Sequence, residues 1–192
     1  QGGGNVAILG GGTIGMFTMQ WARIFGAKSA TVFDIVPERL ELAKRLGAEH
    51  VINTKDADFM EQAMALTDGR GFDYVYETAG NTITMKMAFE LARNKAGVCF
   101  IATPTKELSF SVKEWENMNR KEFTLTGSWM SYSAPFPGEE WTLAAHYFKT
   151  GQLKFDESFI YKKFPLSQAA EAFKLFEIPG EVKGKILLDS EA

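Results

Sequence analysis

Val6-Ala7-Ile8-Leu9-Gly10-Gly11-Gly12-Thr13-Ile14-Gly15 is the stretch that decides the fold. Val6–Leu9 is a short apolar run with the length of a buried strand. From Thr13 to Phe25 the apolar residues recur at helical spacing, with Ile14, Phe17, Trp21 and Ile24 as the expected inward face. Between strand and helix lie three glycines in the pattern G-x-G-x-x-G: Gly10, Gly12 and Gly15. At such a joint each glycine has a use. Gly10 permits the tight turn, Gly12 lets a pyrophosphate come close to the backbone, and Gly15 lets the helix lie against the strand. The N–H groups of Thr13, Ile14 and Gly15 have no partner inside the helix and face the phosphates, with the helix dipole adding about 0.3–1 kcal/mol. The letters alone are weak, because glycine punctuates turns of every kind. Their place between a strand and a helix gives them weight.

The next strand, Ala30-Thr31-Val32-Phe33, ends at Asp34, nineteen residues after Gly15. A dinucleotide fold asks for an acid about 20 residues on, to accept the hydroxyls of the adenosine ribose. The same carboxylate would repel a 2′-phosphate, which predicts a preference for NAD over NADP. The plain alternative is a solvated aspartate at a strand end. Arg39, in the first turn of the following helix, can reach the ribose edge or serve as a surface residue. An arginine there would also soften the discrimination against NADP.

The rest of the chain alternates strands and helices, as a parallel sheet with helical crossovers requires. Pro37–Leu46 is a helix opened by proline and closed by Gly47, Val51-Ile52 a strand, Asp58–Leu66 a helix and Phe72–Tyr76 a strand. Ile83–Arg93 is a helix, Val98–Ala102 a strand, Val112–Arg120 a helix and Phe123–Gly127 a sixth strand. Ser128–Gly138 reads as a loop and Glu139–Thr150 as a helix. The tail adds a strand (Phe159–Tyr161), a helix (Ser167–Phe176) and a last strand (Lys185–Leu188). Ligands of open α/β sheets bind beyond the carboxyl ends of the strands. Thr78, in the turn Glu77-Thr78-Ala79-Gly80, therefore borders the adenosine side of the cleft, and Ala102, before Thr103-Pro104, the nicotinamide side. Either turn could equally be an ordinary loop.

Composition excludes several classes. The net charge of −3 offers no basic surface for nucleic acid or an anionic membrane. No apolar run reaches the ~18 residues of a membrane span. The single Cys99, in an apolar run, reads as a buried thiol in a reducing, cytoplasmic setting. Gln1-Gly2-Gly3-Gly4 reads as a cut linker rather than a signal peptide. One cysteine and the scattered His50 and His146 supply no zinc set, and no serine sits in a nucleophile elbow. The carboxylates are expected to be mostly solvated. Trp115, Phe123, Trp129, Tyr132, Phe136, Trp141, Tyr147 and Phe148 form an aromatic-rich region, read mainly as core, with some rings facing a partner or a further domain.

Together these residues resemble a known family. Val6–Gly15, Asp34 with Arg39–Ala48, Gly71–Gly80, Phe164-Pro165-Leu166 with Ala169–Phe173, and Gly184–Leu188 look like the cofactor-binding half of the zinc-dependent medium-chain alcohol and polyol dehydrogenases. Gly127-Ser128-Trp129 through Pro137 looks closest to bacterial galactitol-1-phosphate or sorbitol-type enzymes. The resemblance implies a doubly wound α/β Rossmann fold: three α-β-α layers around a six-stranded parallel sheet in the order 3-2-1-4-5-6. It implies a NAD-binding domain over 1–156, and a segment over 157–192 that returns to a GroES-like catalytic domain carrying the zinc, which is absent from this chain. It also implies a homodimer through the edge near the sixth strand, Lys185 near the pyrophosphate, and hydride transfer between a nicotinamide and a secondary alcohol, a polyol or polyol phosphate. The fragment alone would then be inactive. Three rivals remain: a zinc-free quinone reductase of the same superfamily, a non-enzymatic NAD sensor, and a methyltransferase, whose last strand would be antiparallel.

Overall fold

The computed structural model describes residues 3–129, 136, 138–178 and 180–191. Its contacts divide the chain into two units, Gln1–Leu153 and Lys154–Ala192. In the first unit the strands are β1 (Asn5–Leu9), β2 (Ser29–Asp34), β3 (His50–Asn53), β4 (Phe72–Glu77), β5 (Ala92–Phe100) and β6 (Thr124–Gly127). They form one sheet in the order β3-β2-β1-β4-β5-β6, and every pairing in it is parallel. An antiparallel last strand, which a methyltransferase would need, is therefore ruled out.

The connecting helices are α1 (Thr13–Ile24), α2 (Pro37–Leu46), α3 (Phe59–Ala65), α4 (Thr82–Leu91) and α5 (Val112–Lys121), with α6 (Glu139–Lys149) after β6. Side chains alternate across a strand, so each face of the sheet takes every second residue. Ala7, Leu9, Phe33, Ile52, Val75 and Val98 meet Ala63 of α3 and Met87, Ala88 and Leu91 of α4 in one continuous core. The alternate residues Ile8 and Val32 are fully buried, as are Met16 and Met19 of α1. The strand order reverses between β1 and β4, which leaves a crevice at their carboxyl ends.

Three expectations are corrected. The inward face of α1 is Gly15, Met16, Met19 and Gln20 rather than the expected stripe. Ile14 is 48% exposed. Phe17 and Trp21 instead meet Phe148 and Tyr147 of α6 edge-on. The helix thus has two neighbours, and the single-stripe reading assumed one. Secondly, α4 stops at Leu91 and β5 begins at once, at Ala92, not at Val98. Arg93 leaves the helix to reach Asp73 at the foot of β4, 2.5 Å away, and a register shift between Phe72 and Tyr74 absorbs the extra residues. Ala102 consequently lies beyond the strand. Thirdly, the tail helix is broken: α7 (Ala169–Lys174) is a short α-helix between 3-10 turns at Leu166–Gln168 and Leu175–Glu177.

The aromatic region is mixed. Phe89 and Phe123 lie in the core with Phe110 packed against them, Trp115 meets Phe110 edge-on but is itself exposed, and Trp129, Phe136 and Trp141 are largely exposed. Tyr132, and most of the 127–137 stretch that carried the subfamily resemblance, lie outside the described residues.

The second unit pairs β7 (Ile160–Pro165) with β8 (Lys185–Asp189), in parallel, with α7 between them in sequence. Phe159, Phe164 and Ala172 are buried. Lys185, the first residue of β8, is exposed. No described helix is long and apolar enough to cross a membrane.

Candidate cofactor-binding site

The three glycines sit at the joint between β1 and α1, and the structure distinguishes their roles. Gly10 has φ +103°, where a side chain would be strained, and a Cβ on it would press on Thr78 and Ala79 at 3.0 Å. A Cβ on Gly15 would lie 1.8 Å from the Gly10 carbonyl oxygen, so only glycine lets α1 pack this close. Gly12 differs. It caps α1 with φ −76° and ψ −178°, allowed to any residue, and a Cβ there would meet nothing within 4 Å. The protein itself does not demand glycine at position 12. The space over its backbone is open.

No side chain caps α1, and its first turn contains no acid. The first helical bond runs from Met16 N–H to the Gly12 carbonyl, at 2.9 Å. The N–H groups of Thr13, Ile14 and Gly15 therefore point out of a twelve-residue helix with the positive end of its dipole. A helix start of this kind can hold a phosphate-sized anion.

Asp34 closes β2 beside this seat and is only 7% exposed. One carboxylate oxygen accepts the N–H groups of Ile35 and Val36, at 2.7 and 2.8 Å. The other accepts the Gly11 N–H at 2.7 Å and lies 3.5 Å from the Arg39 guanidinium. Asp34 thus ties the glycine loop to the second strand, a role the sequence reading missed. No local pattern signals it, since Gly11 and Asp34 are 23 residues apart.

Thr78 reaches the same loop from the other side. Its N–H donates to the Leu9 carbonyl, and its hydroxyl is shared between the carbonyls of Leu9 and Gly10, at 2.9 and 3.0 Å. Its proton is spent on the backbone, so Thr78 shapes the cradle. Ala102 N–H donates to the Glu77 carbonyl, which places the third strand-end loop alongside. Next to it Phe100, Ile101, Pro104, Leu108 and Trp129 line an apolar recess of about 400 Å³. Glu77, read as one carboxylate among solvated ones, is completely buried. Burial pushes its carboxyl above the usual range, partly offset by hydrogen bonds from Thr84, Gly80 and Ala79. His50 and His146 are both exposed and far apart in the chain.

Fold and site together define a Rossmann-type α/β domain whose anion cradle opens at the switch point of the sheet. Residues 13–146 match the model of the family described as "Zinc-binding dehydrogenase", and the chain belongs to that family. It is 33% identical over 180 residues to galactitol 1-phosphate 5-dehydrogenase of Escherichia coli strain K12, covering 93% of this chain and 52% of that one. It is 36% identical over 106 residues to sorbitol dehydrogenase of Bacillus subtilis strain 168, covering 55% and 30%. The crystal structure of galactitol-1-phosphate dehydrogenase from Escherichia coli superimposes with a TM-score of 0.86 at 34% identity, over 97% of this chain and 54% of that one. The chain spans about half the length of the first of these relatives.

Proposed function

We propose that this chain is the NAD(H)-binding part of a longer oxidoreductase that passes hydride between a nicotinamide and a secondary alcohol, a polyol or polyol phosphate. The observation that carries the reading is Gly12: a glycine with ordinary backbone angles and open space at its Cβ, at the uncapped start of α1. The N–H groups of Thr13, Ile14 and Gly15 would hold the pyrophosphate. Asp34 would accept a ribose hydroxyl at the lone pair that now faces Arg39, and Arg39 would border the ribose. Thr78 would support the adenosine side and Ala102 the nicotinamide side. When bound, the cofactor supplies a hydride acceptor or donor. The chain's own part is to orient the cofactor. The polyol class rests on the names of the relatives.

Among the described residues no three His, Cys, Asp or Glu side chains cluster to hold a metal. In this reading zinc and the alcohol-binding groups belong to a catalytic domain elsewhere in the longer protein, and residues 157–192 return to it. The second unit leaves Leu166, Phe173, Phe176 and Ile178 more than half exposed, as a surface covered by such a domain would be. A homodimer along β6 suits an edge strand whose four residues are all exposed. A cytoplasmic setting rests on the lone, free Cys99.

Titration of the chain with NADH and with NADPH, followed by calorimetry, tests the core of this reading. NADH is expected to bind about tenfold more tightly or better, since a like-charged 2′-phosphate meets Asp34. Binding of neither dinucleotide overturns the reading, and equal binding of the two overturns Asp34 as the selector.

A further inference from the structure

Three loops at the carboxyl end of the sheet meet around residues 77–80. Glu77, the last residue of β4, has 0% of its surface exposed, and among the described residues it has no ion-pair partner. One of its carboxylate oxygens accepts the Ala79 and Gly80 N–H groups, each at 3.0 Å, and the Thr84 hydroxyl at 2.6 Å. The other lies 3.2 Å from the Gly80 nitrogen. Its main-chain carbonyl accepts the N–H groups of Ile101 and Ala102. The turn it organises carries Thr78, whose hydroxyl grips the carbonyls of Leu9 and Gly10. That turn also holds Gly80, whose carbonyl accepts the Thr105 N–H.

Burying a carboxylate without a cation is costly, and core packing alone would be served better by an apolar residue. What the carboxylate gains is a fixed turn. Two amides and a hydroxyl converge on it, and each would be left unsatisfied without it. We propose that Glu77 is a positioning residue for the cofactor: with Thr84 it sets the 77–80 turn, and through the Thr78 hydroxyl it fixes the Gly10 carbonyl at the rim of the phosphate cradle. This inference rests on the dinucleotide reading given above. Glu77 acts through Thr78, the next residue, which contacts the Leu9 and Gly10 carbonyls directly.

The test is an NADH titration of the whole chain and of four variants, with thermal melting and amide exchange at Ala79 and Gly80 beside it. Glu77→Met fills the space without an acceptor and is expected to weaken NADH about tenfold or more, with faster exchange at both amides. Glu77→Gln keeps an acceptor oxygen and is expected to recover most of the affinity. Thr84→Val removes one hydroxyl and should cost about threefold, with its melting temperature close to that of the wild type, while Thr84→Ser restores binding. Should Glu77→Met fail to fold, the Thr84 pair decides alone. Wild-type affinity in Thr84→Val, or failure of Thr84→Ser to restore it, overturns the positioning role. If the unmodified chain binds neither NADH nor NADPH, the dinucleotide reading itself fails, a result seen before any variant is compared.

Discussion

The carboxylate of Asp34 accepts three backbone N–H groups, from Gly11, Ile35 and Val36. It is therefore part of the cradle's frame as well as the candidate selector of the ribose. Asp34→Ala would leave the buried Gly11 amide without its acceptor, at a cost of about 1–3 kcal/mol, and free the part-buried Ile35 and Val36 amides as well. The expected result is weaker binding of both NADH and NADPH, with their ratio moving toward one, measured by parallel titration. A selector with no structural duty would instead raise NADPH affinity and leave NADH nearly unchanged. Gly12 and Gly15 make a sharper pair. Gly12→Ala meets no atom and an allowed backbone, so its melting temperature should match the wild type while NADH affinity falls about tenfold or more. Gly15→Ala drives a Cβ to 1.8 Å from the Gly10 carbonyl oxygen, so stability and binding should fall together. Calorimetry and melting curves on the two variants separate ligand space from packing space.

Among the elements, α4 shows how one segment is finished by another. Its amino end is capped by Asn81, whose side chain accepts the Ile83 and Thr84 N–H groups. At its carboxyl end the Lys121 ammonium, from α5, donates to the carbonyls of Phe89 and Glu90, at 2.9 and 2.7 Å. A cation there also answers the negative end of the helix dipole. Lys121→Met keeps the aliphatic stem and loses both bonds; a loss of about 1–2 kcal/mol in urea unfolding is expected. The short connection from α4 to β5 depends on the same region. Gly71, at φ +86°, lets the chain pass so near Leu91 that a Cβ would sit 2.6 Å from its carbonyl oxygen.

Across the whole sheet, Asp73 ties three strands at the end away from the cradle. It accepts the Asn5 N–H of β1 at 2.7 Å and pairs with Arg93 of β5 from its own place in β4. Burial by itself would raise its carboxyl. The Asn5 bond, the Arg93 guanidinium and the charge of Arg70 outweigh that and hold it below its ordinary 3.8. A carboxyl lowered in the fold stabilises it at pH above the unfolded value, and the gain disappears as pH falls through the lowered native value. Asp73→Asn should therefore cost about 1–3 kcal/mol at pH 7. The gap between variant and wild type in denaturant melts should narrow steadily below pH 3.8. A gap independent of pH would mean that the carboxylate charge contributes nothing.

Much of this protein is legible in its amino acids because the deciding signals are local. A run of four apolar residues, glycines at fixed offsets and an acid nineteen positions later specify a strand, a tight turn, a helix start and a second strand end. Each of these is set by backbone sterics and short-range periodicity. The alternation of strands and helices then leaves little choice of architecture, since parallel neighbours need crossovers of one hand. The sites that the sequence hid are those made by residues distant along the chain. The fastening of Gly11 to Asp34, the two-sided packing of α1 between sheet and α6, and the departure of Arg93 toward Asp73 all follow from which strands became neighbours. Glu77 was hidden for another reason. In the sequence it is one of 24 acidic residues, for which solvation is the default. Its partners Ala79, Gly80 and Thr84 are near in sequence, but its complete burial follows from the packing around β4, which no local pattern announces.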